Sequence, residues 1–175
     1  MTDDKRSPED IDPELLEVAR EIFDAARRGE ANMLAAVIEK GAPPNLRNEK
    51  GDSLVMLAAY HGHADAVRVL LERGADANLR NDNGQTPLAG AAFKGFKEVV
   101  ETLLAHGADV EGASPDGRTA LMVAAMFNRT EMVELLLAHG ANPDARDANG
   151  VSAADAAARM GAPETAALLA KKAGA

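Results

Sequence analysis

The chain has 175 residues, with 19 Lys and Arg against 28 Asp and Glu, for a formal net charge of −9. That acidity argues against nucleic acid and against anionic membrane surfaces as partners, because both are bound mainly through Lys and Arg. The absence of cysteine excludes disulfides, thiolate metal sites and thiol nucleophiles, and 46% hydrophobic residues exclude bulk disorder.

In chain order, residues 1–12 read as an acidic flexible arm. Residues 1–30 hold ten acids and five bases, a local charge of −5. The stretch from Met1 to Asp12 is too polar for a signal peptide, and no apolar run approaches the ~20 residues that span a bilayer, so a cytoplasmic location is expected. Pro13 opens a first helix that runs through Arg28, with Leu15, Val18, Ala19, Ile22 and Ala26 expected on one apolar stripe. Residues 13–44 read as an N-terminal capping unit, and Pro43-Pro44 interrupts its turn.

From there the chain repeats itself every 33 residues. Gly41, Gly74, Gly107 and Gly140 are in step, and so are Gly51, Gly84, Gly117 and Gly150. Alanine pairs recur in the same phase at Ala25-Ala26, Ala58-Ala59, Ala91-Ala92, Ala124-Ala125 and Ala157-Ala158. Apolar pairs follow at Val37-Ile38, Leu70-Leu71, Leu103-Leu104 and Leu136-Leu137, ending in Leu169-Ala170. Each period decodes in the same order. A tight turn ends in a glycine of the Gly51 series, often after Asn or Asp. Ser53, Thr86, Thr119 or Ser152 then caps a short Ala-rich helix. Gly62, Gly95, Asn128 or Gly161 stops that helix, Asn128 being expected in a left-handed conformation. A second helix carries Asp65, Glu98, Glu131 or Glu164 in its first turn and ends at the Gly74 series. This divides the chain into repeats at 45–77, 78–110 and 111–143, a C-terminal capping repeat at 144–172 and a tail at 173–175. The last unit carries Ala153, Ala154, Ala166 and Ala170 where larger residues stand earlier, which suits an end unit facing water.

Turn, short helix and longer helix in 33 residues resemble the ankyrin repeat. The best match runs Gly84-Gln85-Thr86-Pro87-Leu88-Ala89-Gly90-Ala91-Ala92, followed by Val99-Val100, Leu103-Leu104 and Gly107-Ala108-Asp109. The resemblance implies an all-α solenoid of stacked helix–turn–helix units joined by short β-hairpin-like turns. The family's His after Thr-Pro-Leu is replaced by Met56, Ala89, Met122 and Asp155. Because that His ties neighbouring turns together, its loss is expected to soften the turn ladder.

No catalytic, cofactor or metal site is expected. Ser53 and Ser152 are helix caps, Ser7 lies in the arm and Ser114 in a turn, and none has the strand–turn–helix setting of a nucleophile elbow. His106 and His139 stand one period apart, a helix-packing distance of ~8–10 Å that is too wide for one metal ion. His61-Gly62-His63 is a close pair without further ligands, and His63 matches the family's structural Gly-His.

The resemblance instead implies a concave face formed by the turn tips and the exposed side of the short helices. By phase this face holds Arg47, Lys50, Asp52, Tyr60 and His61, then Arg80, Asp82, Gln85, Phe93 and Lys94. Asp116, Arg118, Met126, Phe127 and Arg146 continue it, with Glu49 and Asn83 among the turn residues beside them. Tyr60, Phe93 and Met126 share one phase, so they are expected to form a row with Phe127 beside it. Aromatics, Met and Arg are enriched at binding hot spots. Six bases meet four acids here, a charge of +2 on an acidic chain. The expected partner is a protein or peptide with acidic and apolar elements, bound by a monomer. Abundant Ala, with 12 Arg against 7 Lys, hints at a bacterial source. Two alternatives are an accessory protein for an enzyme such as catalase, and an engineered binder. Opposite charge also raises the expectation that Thr2 to Asp12 fold back over the face.

Overall fold

The structure, a computed structural model, describes residues 12–173. The arm before Asp12, the fold-back expected of it, and the end of the tail lie outside the described residues.

The described residues form ten helices. They are α1 (Pro13–Arg28), α2 (Ala31–Glu39), α3 (Leu54–Tyr60), α4 (Ala64–Glu72) and α5 (Pro87–Lys94), followed by α6 (Lys97–Ala105), α7 (Ala120–Met126), α8 (Thr130–Ala138), α9 (Ala153–Arg159) and α10 (Pro163–Ala173). The odd-numbered helices pack in one layer and the even-numbered ones in a second, each unit touching mainly its neighbours.

Local chemistry places the helices. Ser53, Thr86, Thr119 and Ser152 are extended, and each hydroxyl accepts from the backbone N–H three residues on. All four caps are buried, so each hydroxyl replaces water for a helix-end donor that has none. Asn128 takes a φ of 56°, the left-handed turn that glycine makes in the other units.

Packing follows the alanine pairs. Ala25, Ala26, Ala58, Ala59, Ala91, Ala92, Ala124, Ala125 and Ala157 are all 0% exposed, so a methyl group fills the space between successive short helices. Ala158 is exposed, since among the described residues no further short helix packs on α9. Leu70, Leu103, Leu136 and Leu169 form the deep row under the second layer.

The stripe expected on α1 is only half buried. Leu15 is 62% and Val18 54% exposed, whereas Ile22, Ala25 and Ala26 are in the core. The reason is length: α1 has 16 residues and the neighbouring α3 only 7, so the first turns of α1 run past anything that could cover them.

Two ladders tie the units together. At the turns, Asp82 N–H donates to the Lys50 carbonyl at 3.0 Å and Ala148 N–H to the Asp116 carbonyl at 2.9 Å. Pro115 holds the same phase between them and has no N–H to donate, so among the described residues no hydrogen bond joins the second and third turns. The ladder therefore survives loss of the family His in two places, and the break belongs to a proline. At the opposite end, Asn45, Asn78 and Glu111 accept from the backbone N–H of Asp76, Asp109 and Asn142 at 2.7, 2.8 and 2.6 Å.

Candidate functional site

The short helices α3, α5 and α7 leave an open cleft of about 470 Å³ on the face of their layer away from α4, α6 and α8. Met56, Ala89, Gly90 and Val123 form its floor, Tyr60, Phe93, Met126 and Phe127 its walls, and Asn83, Gln85, Ser114, Asp116 and Arg118 its rim on the turns. Tyr60 and Phe127 are 42% and 44% exposed, while Phe93 and Met126 are half-buried. Phe127 meets Phe93 edge to face with ring centroids 4.7 Å apart, a favourable arrangement of the two ring quadrupoles. Lys94 Nζ lies 4.7 Å from the centre of the Tyr60 ring.

Of the residues mapped by phase, Tyr60, Gln85, Phe93, Asp116, Arg118, Met126 and Phe127 come together in the cleft. The others stand around it or serve the scaffold. Arg47 donates from Nε to the Gly51 carbonyl at 2.9 Å and from Nη2 to the Arg80 carbonyl at 2.8 Å, and pairs with Asp82 at 3.6 Å. It braces the first two turns. Arg146 does similar work in the last turn, donating to the Gly150 carbonyl at 2.7 Å and to Asp155 at 3.3 Å. Asp52 accepts from Asn81 Nδ2 at 2.9 Å. Lys50 and Arg80 are exposed on the turns.

The rim and the helix ends differ in charge. The Ser114 hydroxyl donates to Asp116 and, with the Arg118 guanidinium 3.3 Å away, holds that carboxyl below the usual range, so it stays ionised. His61 sits edge-on to Tyr60 at 5.8 Å. Partial burial, then repulsion from the cationic forms of His63, Arg27 and Lys94, push its imidazole below the ordinary value, favouring the neutral ring.

The remaining histidines are structural in their contacts. His63 Nε2 lies 2.9 Å from the Arg27 carbonyl at the end of α1. His106 and His139 each place Nδ1 against the carbonyl four residues back, at 2.8 and 2.9 Å. Among the described residues no three His, Asp or Glu cluster in a way that could hold a metal ion, and no helix is long and apolar enough to cross a membrane.

Mapping by phase missed the floor. Met56, Ala89 and Val123 lie three or four residues before Tyr60, Phe93 and Met126, and that spacing puts them on the same helix face. The helical period therefore held the missing information. Arg129 was missed as well: it stands one period after Phe96 and donates from Nε to the Phe93 carbonyl at 3.1 Å, fastening the end of α5.

The profile described as ankyrin repeats in three copies matches residues 22–114 and again 111–175. Over 60 residues the chain is 59% identical to an ankyrin-repeat protein of Pseudomonas aeruginosa, a match covering 34% of this chain and 34% of that one. The matched segment is thus about a third of that relative's length.

Proposed function

Because the chain belongs to the ankyrin-repeat family, whose members generally mediate protein–protein interaction, we propose that it is a non-catalytic interaction module that docks a protein or peptide in the cleft across α3, α5 and α7. The observation that carries this reading is the exposure of Tyr60 and Phe127 at 42% and 44% on the walls of an apolar cleft. Large aromatics left open to water around a concavity are the usual anchors of a binding surface. The turns contribute a polar rim, in the common arrangement of an apolar centre ringed by hydrogen-bonding groups. The chain acts as a monomer in the cytoplasm on this reading, with no bound cofactor.

The test compares the wild-type chain with a Tyr60→Ala, Phe93→Ala variant, both immobilised and exposed to a lysate of the source organism. The expected result is a stoichiometric protein partner retained by the wild type and lost by the variant, with unchanged helicity by circular dichroism. Equal retention by both, or no stoichiometric partner, overturns the reading. Unfolding of the variant would assign the two rings to the core.

A further inference from the structure

The cleft crosses α5, which lies between α3 and α7, and the sequence of that helix accounts for the open space there. Three and four residues after the cap, α3 carries Met56 and Leu57, and α7 carries Met122 and Val123. At the same two positions α5 carries Ala89 and Gly90, and both line the cleft. Nothing in the fold requires glycine at 90. It lies inside a helix, has no left-handed φ, and a Cβ there would meet only Tyr60 Cδ2, at an ordinary 3.6 Å. Glycine inside a helix is less stable than alanine, because more backbone freedom is lost on folding. The chain thus keeps a residue that weakens α5, and what it gains is open space between Tyr60, Phe93 and Met126.

The charges around that space define what could enter it. Arg47, Arg118 and Arg146 are held by Asp82, Asp116 and Asp155. Among the described residues Lys50, Arg80 and Lys94 form no ion pair, and Lys94 stands at the cleft wall over Tyr60. On a chain with a net charge of −9, this face is where an acidic segment meets unneutralised cations.

Resting on the docking reading above, the geometry points to an anchor pocket: the space over Ala89 and Gly90 receives one large apolar side chain, aromatic or leucine-sized, from a protein segment whose adjoining residues are acidic and face Lys94. A volume of about 470 Å³ accommodates such a side chain with part of its flanking backbone. Gly90 is then the specificity element, since any side chain there would occupy the space meant for the partner.

A phage library of random short peptides, panned on the full chain, tests this. Recovered peptides are expected to share an aromatic, Leu or Met residue beside Asp or Glu. Their affinity should fall about tenfold or more on Gly90→Leu, the size of effect seen when a buried anchor is lost. The melting midpoint of that variant should be unchanged or higher. Gly90→Ala adds one methyl group, raises the midpoint and weakens binding by a smaller factor, so the pocket can be tested even if leucine disturbs the helix. Peptides lacking acidic residues, peptides that bind both Gly90 variants as well as the wild type, or recovery of no peptide would overturn the anchor pocket. If binding is lost in Tyr60→Ala, Phe93→Ala but kept in both Gly90 variants, the anchor fails and the docking face stands. If none of these variants affects binding, both fail.

Discussion

Pro115 lies flat against Gly84, so close that a Cβ at Gly84 would fall 2.0 Å from Pro115 Cδ. The second and third turns therefore touch through a ring and a bare backbone, where the turns on either side are joined by a hydrogen bond. Gly84 has a φ of +74°, which already disfavours a side chain, and the proline adds a collision. Gly150 has nearly the same φ of +73° but nothing within 4 Å of its Cβ position. Gly150→Ala is expected to cost about 1–2 kcal/mol for the left-handed conformation alone. Gly84→Ala should cost that and a further ~1–3 kcal/mol for overpacking. Adding Pro115→Ala should recover most of the difference, a coupling read from urea unfolding of the single and double variants. Equal costs at the two glycines would show that the ring exerts no pressure.

Ala92 and Ala158 occupy the same phase in different units, and only the first is enclosed, at 0% exposure. Ala92→Leu is expected to destabilise by about 1–3 kcal/mol, because the packed short helices cannot part without losing their neighbours. Ala158→Leu adds the same atoms to an exposed site and should stay within about 0.5 kcal/mol of the wild type. Thermal or urea midpoints of the two variants decide it. A common shift would mean that stacking does not depend on methyl-sized contacts.

Asp155 stands where the family His would be and closes a capping box with Ser152. Its carboxylate accepts the Ser152 backbone N–H at 3.1 Å, which is the main cause of its lowered pKa, with the Ser152 hydroxyl next and Arg146 helping. Since folding lowers this pKa, the carboxylate adds stability above its ordinary value of 3.8. That contribution is lost progressively as pH falls from there down through the folded-state pKa. Asp155→Asn should lower the unfolding midpoint at neutral pH and narrow the gap to the wild type in acid. An unchanged gap at every pH would remove the carboxylate from the account.

The recurring architecture was legible because its causes are local. Ser53, Thr86, Thr119 and Ser152 were recognisable as caps from their place after a turn glycine, and their hydroxyls do accept helix-end N–H groups. Asn128 was recognisable as a left-handed residue because it stands in a glycine phase. The cleft was legible only in part. Phase analysis brought Tyr60, Phe93, Met126 and Phe127 onto one surface, and they line one cleft. Arg47 and Arg146 were counted as charges of that surface, but their guanidinium groups are spent on turn carbonyls, which phase alone does not reveal.

Composition and the 33-residue period by themselves determined the stack: glycines that turn, hydroxyls that cap, alanines small enough to lie between helices. The glycines and hydroxyls act within a few residues of themselves and the alanine pairs recur at one fixed phase, so a linear reading can follow all three. Only the assembled units decided where the array opens and where it is unlinked. Those features arise from differences between residues a full period apart, such as Gly90 against Leu57, or Pro115 against Asp82 and Ala148. Such residues act on one another only after neighbouring helices and turns have been brought into contact.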